Sequence, residues 1–187
     1  MKRREVVTED TEDTEDIKIF VESDKIFTKG KYIGRGDEGV VYEAFDENRN
    51  KYAIKIYHKE VNQGIINEII DTNYFLSTLN IASKIYSCYT INNILFLITD
   101  FYDITLEKYL ILYPNKNKIY IRKVISILNE MIALDKFDYD VKLDNIMLNL
   151  GEPYHLYFID CNLSSIDEDP EYIKEILENF ENELMGS

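Results

Sequence analysis

Four short segments of this chain carry residues whose types and spacing could do chemistry on a phosphate. Gly34-Arg35-Gly36-Asp37-Glu38-Gly39 has the form G-x-G-x-x-G. Glycine lacks a Cβ, so a turn built from it lets backbone N–H groups come close to phosphate oxygens. The same pattern opens dinucleotide-binding helices, and its neighbours must decide. Those folds need a helix directly after the glycines, whereas Val40-Val41-Tyr42-Glu43-Ala44-Phe45 is β-branched and aromatic and reads as a strand. The glycines therefore belong to a strand-turn-strand hairpin. Sixteen positions after Gly39, Ala53-Ile54-Lys55 puts an ammonium on the next strand. Asp140-Val141-Lys142-Leu143-Asp144-Asn145-Ile146-Met147 then gathers an acid, a cation and an amide, and Ile159-Asp160-Cys161-Asn162 adds a second acid beyond a predicted hairpin.

These segments, in this order and at these intervals, resemble the eukaryotic-like protein kinase family from about Lys25 to Ser165. Asp140 to Asn145 keeps the spacing of the catalytic loop H-R-D-L-x-x-x-N, and Asp160 stands where D-F-G is expected. The resemblance implies ATP and Mg²⁺ as cofactors and assigns roles by position. Gly34, Gly36 and Gly39 would cover the phosphates, and Val41 would roof the adenine. Ala53, Asp100, Tyr102 and Met147 would complete the nucleotide site, with Thr99 as gatekeeper and Asp100-Phe101-Tyr102 as hinge. Lys55 would hold the α- and β-phosphates, paired by Glu68 or, one helical turn away, Asp71. Asp140 would accept the proton of the substrate hydroxyl, Lys142 would steady the γ-phosphate, and Asn145 and Asp160 would be the metal ligands.

The chain also departs from that family. Tyr139 replaces the arginine before the catalytic aspartate, so no guanidinium is offered there to a phosphorylated activation loop. Asp138 takes the histidine position, and Asp160-Cys161-Asn162 lacks the D-F-G phenylalanine. After Asp160 only 27 residues follow, too few for an activation segment, an A-P-E motif and further helices. Such a short form is similar to minimal kinases of bacterial virulence effectors, NleH-related ones above all, or of large viruses, and less so to the small kinases of tRNA modification. The expected activity is transfer of the ATP γ-phosphate to Ser or Thr of a protein. The alternatives are a pseudokinase-like module that sequesters a partner and a small-molecule kinase. By analogy with the effector group, the protein partner could be a host ubiquitin-conjugating enzyme, met in the cytoplasm.

Elements able to position these residues can be read from periodicity. Lys31 to Ile33, Gly39 to Phe45 and Tyr52 to Tyr57 read as antiparallel strands, and Asp46 to Asn50 as a polar turn. Val61 to Leu79 places Ile65, Ile69, Thr72, Leu76 and Leu79 on one helical face. Ile85 to Tyr89 and Ile94 to Thr99 flank Asn92-Asn93, a hairpin signal. Thr105 to Leu112 and Tyr120 to Leu134 read as helices, the second with Ile121, Val124, Ile125, Leu128, Met131 and Ile132 as its buried stripe. Ile146 to Leu150 and His155 to Ile159 read as strands, and Asp169-Pro170 opens an amphipathic helix through Ile173, Ile176, Leu177, Phe180 and Leu184. The expected fold is α+β and protein-kinase-like: a five-stranded antiparallel N-lobe with one helix over 18–100, and a truncated, mainly helical C-lobe over 101–187. Residues 1–17, with Thr-Glu-Asp repeated at Thr8, Thr11 and Thr14, read as a disordered acidic tail.

Composition limits the partners. At 187 residues the chain has room for one domain or two small lobes, and 45% hydrophobic residues suffice for a packed core. A net charge of -14 argues against direct nucleic-acid binding and against an anionic membrane, both of which favour basic surfaces. Cys88 and Cys161 lie too far apart in sequence for metal-ligand spacing and fit a reducing compartment.

Overall fold

The computed structural model describes residues 18–20, 26–138, 141–161 and 163–165, with residues 174, 175, 177, 178 and 182 near the C-terminus. The expected acidic tail and most of the expected terminal helix lie outside the described residues. Lys174, Glu175, Leu177, Glu178 and Asn182 are helical.

Two compact units divide the chain. The first comprises the described residues up to Asn73 together with Ser83–Tyr102, and the second Tyr74–Ala82 together with the described residues from Asp103 onward.

The first unit is an antiparallel sheet with a helix. Its strands are β1 (Lys18–Phe20), β2 (Ile26–Arg35), β3 (Gly39–Phe45), β4 (Lys51–Glu60), β5 (Ile85–Ile91) and β6 (Ile94–Asp100), in the order β1-β2-β3-β4-β6-β5. The five expected strands are present, and β1 adds a sixth at the edge, paired with the start of β2. Strand alternation gives the sheet a filled face: Ala44, Ile54, Phe96 and Ile98 are buried there with Phe27, and Tyr42, Tyr52, Tyr86 and Tyr89 pack against them. Two of its hairpins close on residues that tolerate left-handed backbone or supply their own caps. Asn92 and Asn93 have φ of 50° and 63° between the paired Ile91 and Ile94, as a two-residue hairpin loop requires. In the β3–β4 turn the Asp46 carboxylate accepts from the backbone N–H of Asn48 and Asn50, at 2.9 and 2.8 Å.

Helix α1 (Gln63–Thr78) follows β4, and its last residues, from Tyr74, belong to the second unit. Of the expected apolar face only Leu76 is fully buried; Ile69, Thr72 and Leu79 are half-buried and Ile65 is exposed.

In the second unit, β7 (Ile104–Thr105) leads into α2 (Leu106–Leu112), which Thr105 caps by accepting from the Lys108 backbone N–H at 3.2 Å. A 3₁₀ turn (Pro114–Lys116) turns the chain into α3 (Asn117–Ala133). Then come β8 (Lys136–Asp138), a 3₁₀ turn (Leu143–Asn145), β9 (Ile146–Asn149), β10 (Glu152–Phe158) and β11 (Leu163–Ser165). Strands β10-β9-β7 form one small sheet and β11-β8 another, so strand stands beside helix in this unit. The core is built from one face of each element: Leu106 and Leu110 of α2, Tyr120, Val124, Leu128 and Met131 of α3, and Ile146, Leu148, Leu156 and Phe158 of the hairpin. Ile121 of the expected stripe is also buried, whereas Ile125 and Ile132 are half-buried. Among the described residues no helix is long and apolar enough to cross a membrane.

Candidate functional site

In the first unit, strand register gathers the predicted residues. Gly34 pairs with Val41, Val41 with Lys55, and Lys55 with Leu97. One step along, Ala53 pairs with Thr99. Partners across an antiparallel ladder share a face, and residues two apart on a strand do too. Val41, Ala53, Lys55 and Thr99 therefore lie on one face, opposite the face that buries Ala44, Ile54 and Ile98. Each of the four is half-buried.

The glycine turn has two parts. The Gly36 N–H donates to the Gly39 carbonyl at 2.9 Å and closes the tip. A Cβ on Gly39 would stand 2.4 Å from the Ile56 carbonyl oxygen, so this glycine is needed for β4 to approach. A Cβ on Gly34 or Gly36 would meet nothing within 4 Å, and no described glycine has a positive φ. The protein's own packing thus requires Gly39 and leaves the other two open to whatever lies above the turn.

Lys55 has a side chain only 12% exposed, and its Nζ lies 2.7 Å from Glu38 Oε2 inside the glycine turn. Glu68 and Asp71 are exposed on α1. Glu38 is thus a carboxylate at Lys55 that G-x-G-x-x-G reasoning passes over, because it occupies a variable position of that pattern. The Lys55 ammonium also lies 4.7 Å from the centre of the Tyr57 ring.

The hinge expected at Asp100-Phe101-Tyr102 is tied by side chains. Asp100 accepts from the Lys84 N–H at 3.0 Å and from the Tyr86 hydroxyl at 2.8 Å, with the Tyr102 hydroxyl at 3.5 Å. Burial, then the hydrogen bond to Asp100, pushes the Tyr86 hydroxyl from 10.0 up to about 12. The Lys51 ammonium sits 3.7 Å from the centre of the Phe101 ring.

In the second unit the β9–β10 hairpin does the gathering. Asn145 and Asp160 are fifteen positions apart in sequence. Ile146 pairs with Phe158, and the Ile159 N–H donates to the Asn145 carbonyl at 2.9 Å, so the two residues come to the same end of the hairpin. A further tie, Phe158 N–H to the Ile81 carbonyl at 2.9 Å, fixes that end to the segment after α1. Asn145 is held from the other side by its own N–H, which donates to the Lys142 carbonyl at 3.1 Å. Asp160 has φ of 52°, a left-handed conformation uncommon for a residue with a side chain. Met147 faces away from the buried Ile146 and Leu148, on β9 opposite Thr105 and Tyr157. Lys142 is exposed just before the 3₁₀ turn.

Tyr139 and Asp140 lie outside the described residues, but Asp138 and Val141 on either side of them do not. Asp138 is 2% exposed and pairs with Leu163, and Val141 packs on the core. Burial raises the Cys161 thiol well above its ordinary value, with the Asp138 carboxylate adding to it, so Cys161 stays protonated at neutral pH and unreactive.

The donor chemistry at the hairpin end suits Mg²⁺: one carboxylate and one amide oxygen are the few protein ligands such an ion takes when phosphate and water supply the rest. Among the described residues no group of three or more His, Cys, Asp or Glu forms a self-sufficient metal site. No protein-family model matches the chain, and no curated protein matches it.

Proposed function

We propose that the chain is an ATP-dependent protein kinase that transfers the γ-phosphate to Ser or Thr of a protein. The observation that carries this reading is the shared sheet face of Val41, Ala53, Lys55 and Thr99, below a turn whose Gly34 and Gly36 have no packing reason to be glycine. Val41 and Ala53 offer the adenine an apolar surface, and Lys55 offers the phosphates a cation on a rigid strand. Asn145 and Asp160 would hold Mg²⁺, which neutralises phosphate charge as it develops. Asp140 would take the hydroxyl proton and Lys142 would steady the γ-phosphate. Glu38 meets the Lys55 ammonium at 2.7 Å, and phosphates held by that ammonium would compete with it. A host ubiquitin-conjugating enzyme is one candidate substrate protein, by analogy with the effector group.

Labelled γ-phosphate transfer by the purified protein in a cell lysate tests the reading, with Asp140→Asn as control. A labelled protein band well above that control is expected. Label confined to a small molecule would replace protein by metabolite as substrate. Nucleotide binding without any transfer would make the chain a pseudokinase-like module.

A further inference from the structure

The outer side of α2, the 3₁₀ turn Pro114–Lys116 and the start of α3 carries the charge opposite to that of the chain as a whole. Asp and Glu make up 35 of 187 residues, yet none lies between Glu107 and Glu130, where Lys108, Lys116, Lys118, Arg122 and Lys123 stand. Lys123 is spent internally, its ammonium donating to the Tyr154 carbonyl. Lys108, Lys118 and Arg122 are exposed and Lys116 half-exposed, and none of the four forms an ion pair with a described residue. Helical spacing sets apolar groups beside them. On α2, Ile111 and Leu112 follow Lys108 by three and four positions and are 72% and 63% exposed. On α3, the exposed Lys118, Ile119 and Arg122 share one side by the same spacing. The exposed Tyr113 bridges the two helices: its ring lies 4.7 Å from that of Tyr109, which lies 5.2 Å from that of Tyr120. Helix α3 also begins with no side-chain cap and no acid in its first turn, so the positive end of its dipole adds to the cations.

Single exposed apolar residues are ordinary, but aliphatic side chains set beside unpaired cations on two adjoining helices have a complement that is acidic and apolar at once. We propose that this α2–α3 surface docks an acidic segment of another protein, one that carries apolar side chains among its carboxylates. Charge complementarity selects the acids, and Ile111, Leu112 and Ile119 select the apolar groups. Two other polyanions fit less well. A nucleic acid offers Tyr113 a base to stack on but gives the three aliphatic residues no apolar partner. An anionic membrane is a charged plane that meets the field of the whole chain, whose net charge is -14. A peptide segment need span only the patch, and at physiological salt the field of more distant acids is screened beyond about 8 Å. The surface belongs wholly to the second unit, so the proposal stands apart from the nucleotide reading.

The test titrates the full chain into a fluorescein-labelled synthetic peptide that has Glu on one helical face and Leu on the other, read by fluorescence anisotropy. Saturable binding is expected. It should weaken about tenfold in Lys116→Glu/Lys118→Glu, which reverses two of the cations, and by a similar factor in Ile111→Ser/Leu112→Ser, which removes the apolar groups. Both variants alter exposed or half-exposed side chains and should keep the circular dichroism of the parent. Raising the salt to about 1 M, where the screening length is about 3 Å, should weaken binding of the parent as well. No saturable binding, or binding unchanged in both variants, would overturn the proposal. Equal binding of a peptide with Ser in place of every Leu would overturn it too, by reducing the surface to unselective charge attraction. A dimer of the parent in analytical ultracentrifugation, lost in Lys116→Glu/Lys118→Glu, would give the surface to a second copy. Co-sedimentation with phosphatidylserine vesicles, lost in the same variant, would give it to a membrane, and either result overturns the proposal.

Discussion

The two compact units hold their chemistry-bearing residues in different ways. In the first, a ladder does it: Gly34, Val41, Lys55 and Leu97 are successive partners across four strands. A slip of one residue would turn Lys55 into the core and Ile54 out of it, so the buried Ile54 fixes the face on which Lys55 stands. In the second, Lys142, Asn145 and Asp160 lie outside regular strand and are placed by single backbone bonds around a hairpin whose Ile146, Leu148, Leu156 and Phe158 are sunk in the core. Placement by register is redundant, because every pair repeats the same information. Placement by a few ties is local, and one altered backbone angle can move a carboxylate.

The largest effects should come from the anchors themselves. Ile54→Ala and Leu148→Ala each remove a side chain with 0% exposure and should each cost about 2–5 kcal/mol in urea denaturation followed by circular dichroism. The comparison predicts different consequences for the sites. Ile54→Ala should leave Lys55 on its face in whatever protein remains folded, since the other pairs persist. Leu148→Ala should displace Asn145, which directly precedes β9, the short strand that Leu148 anchors. A cost below about 1 kcal/mol for Leu148→Ala would show that the hairpin is not the anchor.

Next in size is the glycine turn, where one region contains both kinds of constraint. Gly39→Ala pushes a methyl against the Ile56 carbonyl and should cost about 1–3 kcal/mol. Gly34→Ala and Gly36→Ala meet no atom within 4 Å and should stay within about 0.5 kcal/mol of the parent. If the proposed nucleotide site is right, these two should instead weaken binding of a fluorescent ATP analogue. Unchanged binding would detach the turn from the nucleotide.

The difference between the units also explains what was legible in the sequence. Strands β3, β4 and β6, the Asn92-Asn93 turn and helices α2 and α3 follow from patterns spanning a few residues, and those elements form where expected. The two-residue β7, and β8 paired with β11, leave no alternation long enough to read. Glu38 at Lys55 was hidden for a different reason: its meeting depends on how the turn folds over β4. The tie from Ile159 to Asn145 is a backbone bond and has no residue signature at all. Asp140 lies outside the described residues, so its place is argued from sequence alone.

Left-handed residues give a finer contrast. Asn93 in the first unit and Asp160 in the second have φ of 63° and 52°. Asn93 closes a two-residue hairpin, where Gly serves at least as well, so Asn93→Gly should be neutral or stabilising by a few tenths of a kcal/mol. Asp160 closes no such loop. Asp160→Gly should relieve the backbone by up to about 1 kcal/mol, against which stands the loss of the carboxylate's own contacts, while abolishing the proposed phosphate transfer. Thermal denaturation and the transfer assay measure the two halves. A loss of both together would mean that the carboxylate serves the fold and that its backbone stores no strain for function.

The smallest effect is a pH dependence, and it again sets one unit against the other. Tyr86 in the first donates its hydroxyl to Asp100, and Tyr120 in the second donates to the Pro153 carbonyl at 2.6 Å. Burial raises both hydroxyls first, and for Tyr86 the value moves from 10.0 to about 12. Above pH 10.0 the unfolded chain loses these protons while the folded chain keeps them, so the folded state binds more protons and its stability falls as pH rises. The Tyr86 share of stability is complete below pH 10.0 and is lost toward about 12. Tyr86→Phe keeps the ring against Tyr52, at 4.7 Å, and removes the titrating hydroxyl. Urea midpoints measured at pH about 9 and about 11 should therefore converge in Tyr86→Phe relative to the parent. Tyr120→Phe should flatten the same decline independently, because its hydroxyl meets a neutral carbonyl in the other unit. Additive flattening would keep the two units energetically separate over this range, whereas a double variant no flatter than either single one would show that they lose alkaline stability as one body.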